Sequence, residues 1–70
     1  MRTVNNQMDL MNVLTDLDFE EHIAIRIGRH TMDLWYMTDE DCFSMFDNCE
    51  INFDTLGEME DYIVRNYGLC

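Results

Sequence analysis

Fifteen carboxylates, two histidines and three cysteines are the residues of this 70-residue chain whose types could do chemistry. Their spacing narrows what that chemistry is. Asp39 to Glu50 has the length of a calcium loop, with acids at loop positions one, three, nine and twelve. Such a loop also needs an oxygen ligand at position five and glycine at position six, where Phe43 and Ser44 stand. A zinc site fares no better: Cys42 and Cys49 are seven apart, no Cys-x-x-Cys pair exists, and His22 and His30 flank an expected hairpin. Three cysteines and two histidines form Cys–His pairs on paper by chance alone. Gly28, Gly57 and Gly68 are isolated, so no phosphate-cradling loop is present. The pattern points to no metal, no cofactor and no catalytic residue, and the expectation is a protein that is not an enzyme.

What remains is the charge itself. All four basic residues are arginine, and 4 − 15 gives −11, beyond the magnitude of about 2–8 usual for a small domain. Self-repulsion at that density opposes the compact state. It also disfavours direct nucleic-acid binding and attachment to anionic membranes, both of which draw on lysine and arginine. The expected partner is a positively charged surface. High-salt adaptation would also explain the missing lysine. Against it stands a single alanine beside seven methionines, six asparagines and three cysteines.

The chain is 47% hydrophobic, too apolar for a disordered acidic tail, and is expected to form one domain over residues 1–70 with a modest core. No run approaches a membrane span, and Met1 to Asn6 lacks the apolar stretch of a signal peptide. Cys42, Cys49 and Cys70 match no disulfide framework; reduced thiols in a cytoplasmic protein are the expectation.

The elements that must position the acids follow from periodicity. Leu10, Val13, Leu14 and Leu17 form a helical stripe between about Asn6 and Leu17, with Asp9 suited to the dipole at its start. Ile23, Ile25 and Ile27 then alternate with His22, Ala24 and Arg26, the pattern of a half-buried strand. Gly28-Arg29-His30 reads as a hairpin turn. A second strand, Thr31–Met37, puts Met32, Leu34 and Tyr36 on one face and Asp33, Trp35 and Met37 on the other. Residues 38–41 are a polar turn, Cys42–Phe46 a third strand, and Asp47-Asn48 another turn. Ile51–Phe53 reads either as a fourth strand or as an extended lead-in to the last helix. Thr55-Leu56-Gly57-Glu58 matches a capping box, followed by the stripe Leu56, Met59, Ile63, Tyr67 and a terminating Gly68. The fold class is α+β, with an antiparallel meander of three or four strands and both helices on one face.

The acids are spread over this frame, with Asp39, Glu40 and Asp41 in one turn, Glu58, Glu60 and Asp61 on the last helix, and Asp16, Asp18, Glu20 and Glu21 at the first helix-to-strand junction. Alternate strand residues lie roughly 6.6 Å apart and helix neighbours about 5–6 Å, intervals comparable to phosphate spacing along a nucleic-acid strand. A folded scaffold holds such a pattern without losing ordering entropy on binding. Asp33 and an outward Trp35 make a second candidate contact, since tryptophan anchors many interfaces; in the opposite register Trp35 would be core. Arg26 is positioned to pair with Asp33 across the hairpin, and Arg65 with Asp61 along the helix.

Size, lysine-poor acidity, the helix–meander–helix order and the groups Asp39-Glu40-Asp41 and Glu58-Glu60-Asp61 together resemble the small acidic inhibitors encoded by phages and mobile elements. Anti-CRISPR proteins and other nucleic-acid (DNA) mimics belong to that group. The resemblance covers the whole chain and includes no signature motif. It implies a stoichiometric inhibitor, monomer or homodimer, acting in the cytoplasm (a host's, if phage-encoded) on a basic nucleic-acid-binding protein such as a nuclease effector. The alternative reading is a small interaction module or antitoxin-like subunit docking through Trp35.

Overall fold

The computed structural model describes residues 1–69, and Cys70 and its expected free thiol lie outside them. The chain folds as β1 (Arg2–Thr3), α1 (Gln7–Glu20), β2 (His22–Ile27), β3 (His30–Met37), β4 (Cys42–Asp47), β5 (Cys49–Phe53) and α2 (Leu56–Tyr67). The five strands form one sheet in sequential order, antiparallel except for β1, which runs parallel to β2. The α+β class and the helix–meander–helix order hold. Ile51–Phe53 proves to be the end of a full fourth meander strand. β1 has two residues and no alternation, so nothing in its sequence announces it. It pairs through Arg2 opposite Ile25 and Thr3 opposite Arg26, and the chain then crosses over through α1.

Asn6 caps α1 by accepting the Asp9 backbone N–H at 2.9 Å, and Asp9 in turn accepts the Asn5 N–H at 3.0 Å. Leu10, Val13, Leu14 and Leu17 are buried. The helix runs three residues past Leu17, because Asp18-Phe19-Glu20 contains neither glycine nor proline to stop it. It ends when Glu21 turns left-handed at φ 66°, its N–H bonded to the Leu17 carbonyl. In α2, Thr55 accepts the Glu58 N–H at 3.1 Å while the Glu58 carboxylate reaches back to the Asp54 N–H. Gly68 closes the helix at φ 71°.

Both helices cover one sheet face, α1 over β2 and β3, α2 over β4 and β5. Inward residues align in rows across the strands: Ile23, Leu34, Met45 and Ile51 in one, Tyr36, Phe43 and Phe53 in another. Leu34 is fully buried, and truncating it to alanine is expected to cost about 2–5 kcal/mol.

Glu21, Asp41 and Asn48 hold positive φ without being glycine, and of these Glu21 lacks the short side chain that makes Asp and Asn tolerant of that conformation. The left-handed conformation costs roughly 1–2 kcal/mol, against which glycine loses about 0.5–1 kcal/mol of chain entropy. Glu21→Gly is therefore expected to raise the urea-unfolding free energy by up to about 1 kcal/mol.

Candidate functional site: an acidic pole beside an open sheet face

The strand register brings distant acids to one end of the molecule. β2 begins at that end, β3 finishes there, β4 begins and β5 finishes, as the pairings His22–Trp35, Met37–Cys42 and Phe43–Phe53 require. The end of α1 and the start of α2 are joined to those termini. The same end therefore gathers Asp18, Glu20 and Glu21 with the β3–β4 turn residues Asp39, Glu40 and Asp41, together with Asp54 and Glu58. Two side chains register the resulting field. The Tyr36 phenol donates to Asp41 at 3.0 Å; that bond and the charge of Asp41, with lesser effects of desolvation, Asp18 and Glu21, push its pKa up. Desolvation, followed by a bond donated to Glu40 and the charges of Glu40, Asp54 and Asp41, raises the Cys42 thiol.

Little offsets these charges locally. Arg2 bonds Asp16 at 2.7 Å and approaches Glu20 to 4.0 Å. Arg26 and Arg29 stand toward the far end of β2, and Arg65 is in the last turn of α2, paired with Asp61 at 3.1 Å as expected. The last turn of α1 holds no base, so its acids sit at the negative end of the helix dipole. Phe19 in that turn is 83% exposed. In the β3–β4 turn, Tyr36, Met37, Thr38, Asp39 and Glu40 line an open hollow of ≈ 220 Å³.

Trp35 points outward, as the first of the two registers requires. With Met37 and Phe46 it stands exposed on the sheet face that no helix covers. The His22 ring stacks on the indole with centroids 4.0 Å apart and holds Asp33 through Nε2 at 2.9 Å. The expected Arg26–Asp33 pair does not form. Arg26 lies opposite Thr31 and Asp33 opposite Ala24, so His22 and Arg26 are both diagonal to Asp33, and the ring anchored on Trp35 takes the carboxylate. Ser44 points to this face too, is buried among its neighbours there, and donates to the Asn52 side chain.

The nominated residues thus separate. Asp39, Glu40, Asp41 and Glu58 belong to the pole, Asp33 and Trp35 to the open face. Glu60 and Asp61 lie on the helical layer, where Glu60 accepts from the Gln7 amide and Asp61 from Arg65. Asp18, Glu20 and Glu21 join the pole although sequence reasoning nominated none of them; the signal was an acidic run at a helix end with no arginine. Phe46 on the open face was also missed. The alternation of Cys42–Phe46 places it on the side of Ser44. Residues 39–50 form no loop, since β4 runs through their middle. Among the described residues no three His, Cys, Asp or Glu side chains are grouped to hold a metal ion. No protein family, curated protein or solved structure matches the chain.

Glu40→Gln should speed alkylation of Cys42 at pH 8, because the thiolate then forms beside one charge fewer; mass-resolved iodoacetamide kinetics read this. At the far end Tyr67 donates to Asp47 at 2.7 Å, and burial together with that bond raises its pKa. The neutral phenol is favoured in the fold, so its stabilisation is present below the ordinary value of 10.0 and is lost as pH climbs above it. Tyr67→Phe should cost about 1–2 kcal/mol at pH 7 and flatten the alkaline decline in stability, measured by urea unfolding from pH 8 to 11.

Proposed function

We propose that this protein is a stoichiometric inhibitor whose acidic pole occupies the basic groove of a nuclease or other nucleic-acid-binding protein, in the cytoplasm, in the manner of an anti-CRISPR-like nucleic-acid mimic. The observation that carries this reading is the convergence at one end of Asp18, Glu20 and Glu21 from α1 and β2's approach with Asp39, Glu40 and Asp41 from the β3–β4 turn. Internal bonds account for Asp41, which accepts from Tyr36, and in part for Glu40 and Glu20, but not for the group as a whole. The α1 acids oppose their own helix dipole, and Asp18 and Asp39 have no hydrogen-bond or ion-pair partner among the described residues. A fixed array of carboxylates steers a basic partner and speeds encounter, an effect that weakens with salt.

A second reading, a small interaction module docking through its apolar face, draws on the exposure of Trp35, Met37 and Phe46. The two part on salt dependence and on which substitution matters. The test is capture from a cell lysate on the immobilised chain, eluted in rising salt with and without added DNA or RNA. Asp41 is left intact in the comparison variant because it holds a turn at φ 52° and accepts from Tyr36. For a mimic, captured proteins bind nucleic acid, are displaced by it, and lose about 10- to 100-fold in affinity for Asp18→Lys/Asp39→Lys/Glu40→Lys, about 1.4–2.8 kcal/mol. Retention through high salt with loss on Trp35→Ala would replace this reading with the second.

A further inference from the structure

The open face differs from the rest of the surface. On its four meander strands the twelve outward residues are His22, Ala24 and Arg26 on β2, Thr31, Asp33, Trp35 and Met37 on β3, Cys42, Ser44 and Phe46 on β4, and Glu50 and Asn52 on β5, as the register dictates. Only Arg26, Asp33 and Glu50 among them carry formal charge, +1 − 2 = −1, in a chain of −11. Charge depletion around exposed aromatics is the composition of an interface centre. The ends of this face differ in charge: Arg26 and Arg29 stand at one, with Asp47 and Glu50 on the neighbouring strands β4 and β5, whereas Glu20, Glu21, Asp39 and Glu40 at the other have no arginine of the meander strands among them. Neither Arg26 nor Arg29 has an ion-pair partner among the described residues.

We propose that a second copy of this chain covers the face, related by a two-fold axis lying across the strands at the level of Leu34. The register determines what such an axis brings together. It lays each strand antiparallel on its counterpart, so the Gly28-Arg29 turn, five residues before Leu34, meets the partner copy's turn at Asp39-Glu40, five residues after it. Arg26 lies level with Thr31, three residues from the axis, and comes over the partner copy's α1–β2 junction, where Glu20 and Glu21 stand. Near the centre large residues oppose small ones. Phe46, level with Asp33, meets Ser44, level with Trp35; His22 meets Ala24 by the same offset. Trp35 comes over Asp33. Rotation about the other in-plane axis would place acidic end on acidic end.

The face is modest. Four strands about 4.8 Å apart and about 20 Å long present roughly 400 Å² in plan on each copy, in the range of weak, reversible association. Because the −11 on each copy repels within a Debye length of about 8 Å at 0.15 M salt, the dimer is expected only at high protein concentration.

Sedimentation velocity at 0.15 M salt, from micromolar to millimolar chain, tests this without any other partner, and its result is independent of the inhibitor reading. The mass should rise from 8.4 kDa toward double with concentration. Arg29→Glu should weaken pairing at least 10-fold. Arg29→Glu/Asp39→Arg, which restores the net charge, should recover most of that loss. Arg65→Glu makes the same change in net charge, −11 − 2 = −13, but lies on the helical side, and should have little effect. A constant 8.4 kDa throughout would overturn the proposal, as would a dimer that responds equally to Arg29→Glu and Arg65→Glu, or one that the double variant fails to rescue.

Discussion

The structure depends on one constraint: a single sheet has two faces, and two short helices can cover only one of them. The row Ile23, Leu34, Met45, Ile51 runs across four strands and meets those helices. A one-residue slip in any strand would send its share of the row to solvent, so register is held by burial. Everything else follows from that register. The strand ends are determined, the turns that join them come together at two poles, and the outward residues form a surface with no cover from within the domain. Acids scattered in sequence become neighbours because the hydrophobic face has no other place to go.

The acids then divide by what they do inside the molecule. Asp9 and Glu58 cap helices, Asp33 and Asp47 receive bonds from His22 and Tyr67, and Asp61 meets Arg65. These contribute to the fold. At the pole, Asp18 and Glu20 crowd the negative end of α1, and Glu21 occupies a left-handed position suited to glycine. Local rules broken together at one place, in a chain otherwise consistent with them, mark surfaces retained for a reason other than stability. That contrast, more than the total charge, supports a binding role for the pole.

The alternating isoleucines and the capping box at Thr55 were legible in the sequence because each depends on a period or a local hydrogen-bond pattern, whereas the period of β3 separated Trp35 from Tyr36 without saying which of the two faces the helices. β1 was not legible, since two residues are too few to show a period and their pairing partner β2 is distant in the sequence. The end of α1 was misplaced because its buried stripe stops at Leu17 while the backbone continues until something turns it. The pole was half legible: the turn at residues 39–41 stood out as a run, but its meeting with residues 18–21 is a product of register. His22 taking Asp33 from Arg26 was beyond sequence reasoning, because both stand diagonal to it and the indole decides between them.

If the pole is held at the expense of stability, urea unfolding of the wild type and of Asp18→Lys/Asp39→Lys/Glu40→Lys in 10 mM and 1 M sodium chloride will show it. Relief of the helix-end and turn repulsion should make the variant more stable by about 1–2 kcal/mol at low salt. The difference should shrink at 1 M, where screening acts within about 3 Å. A variant less stable than wild type at low salt would contradict the account, because those carboxylates would then be part of what holds the fold together.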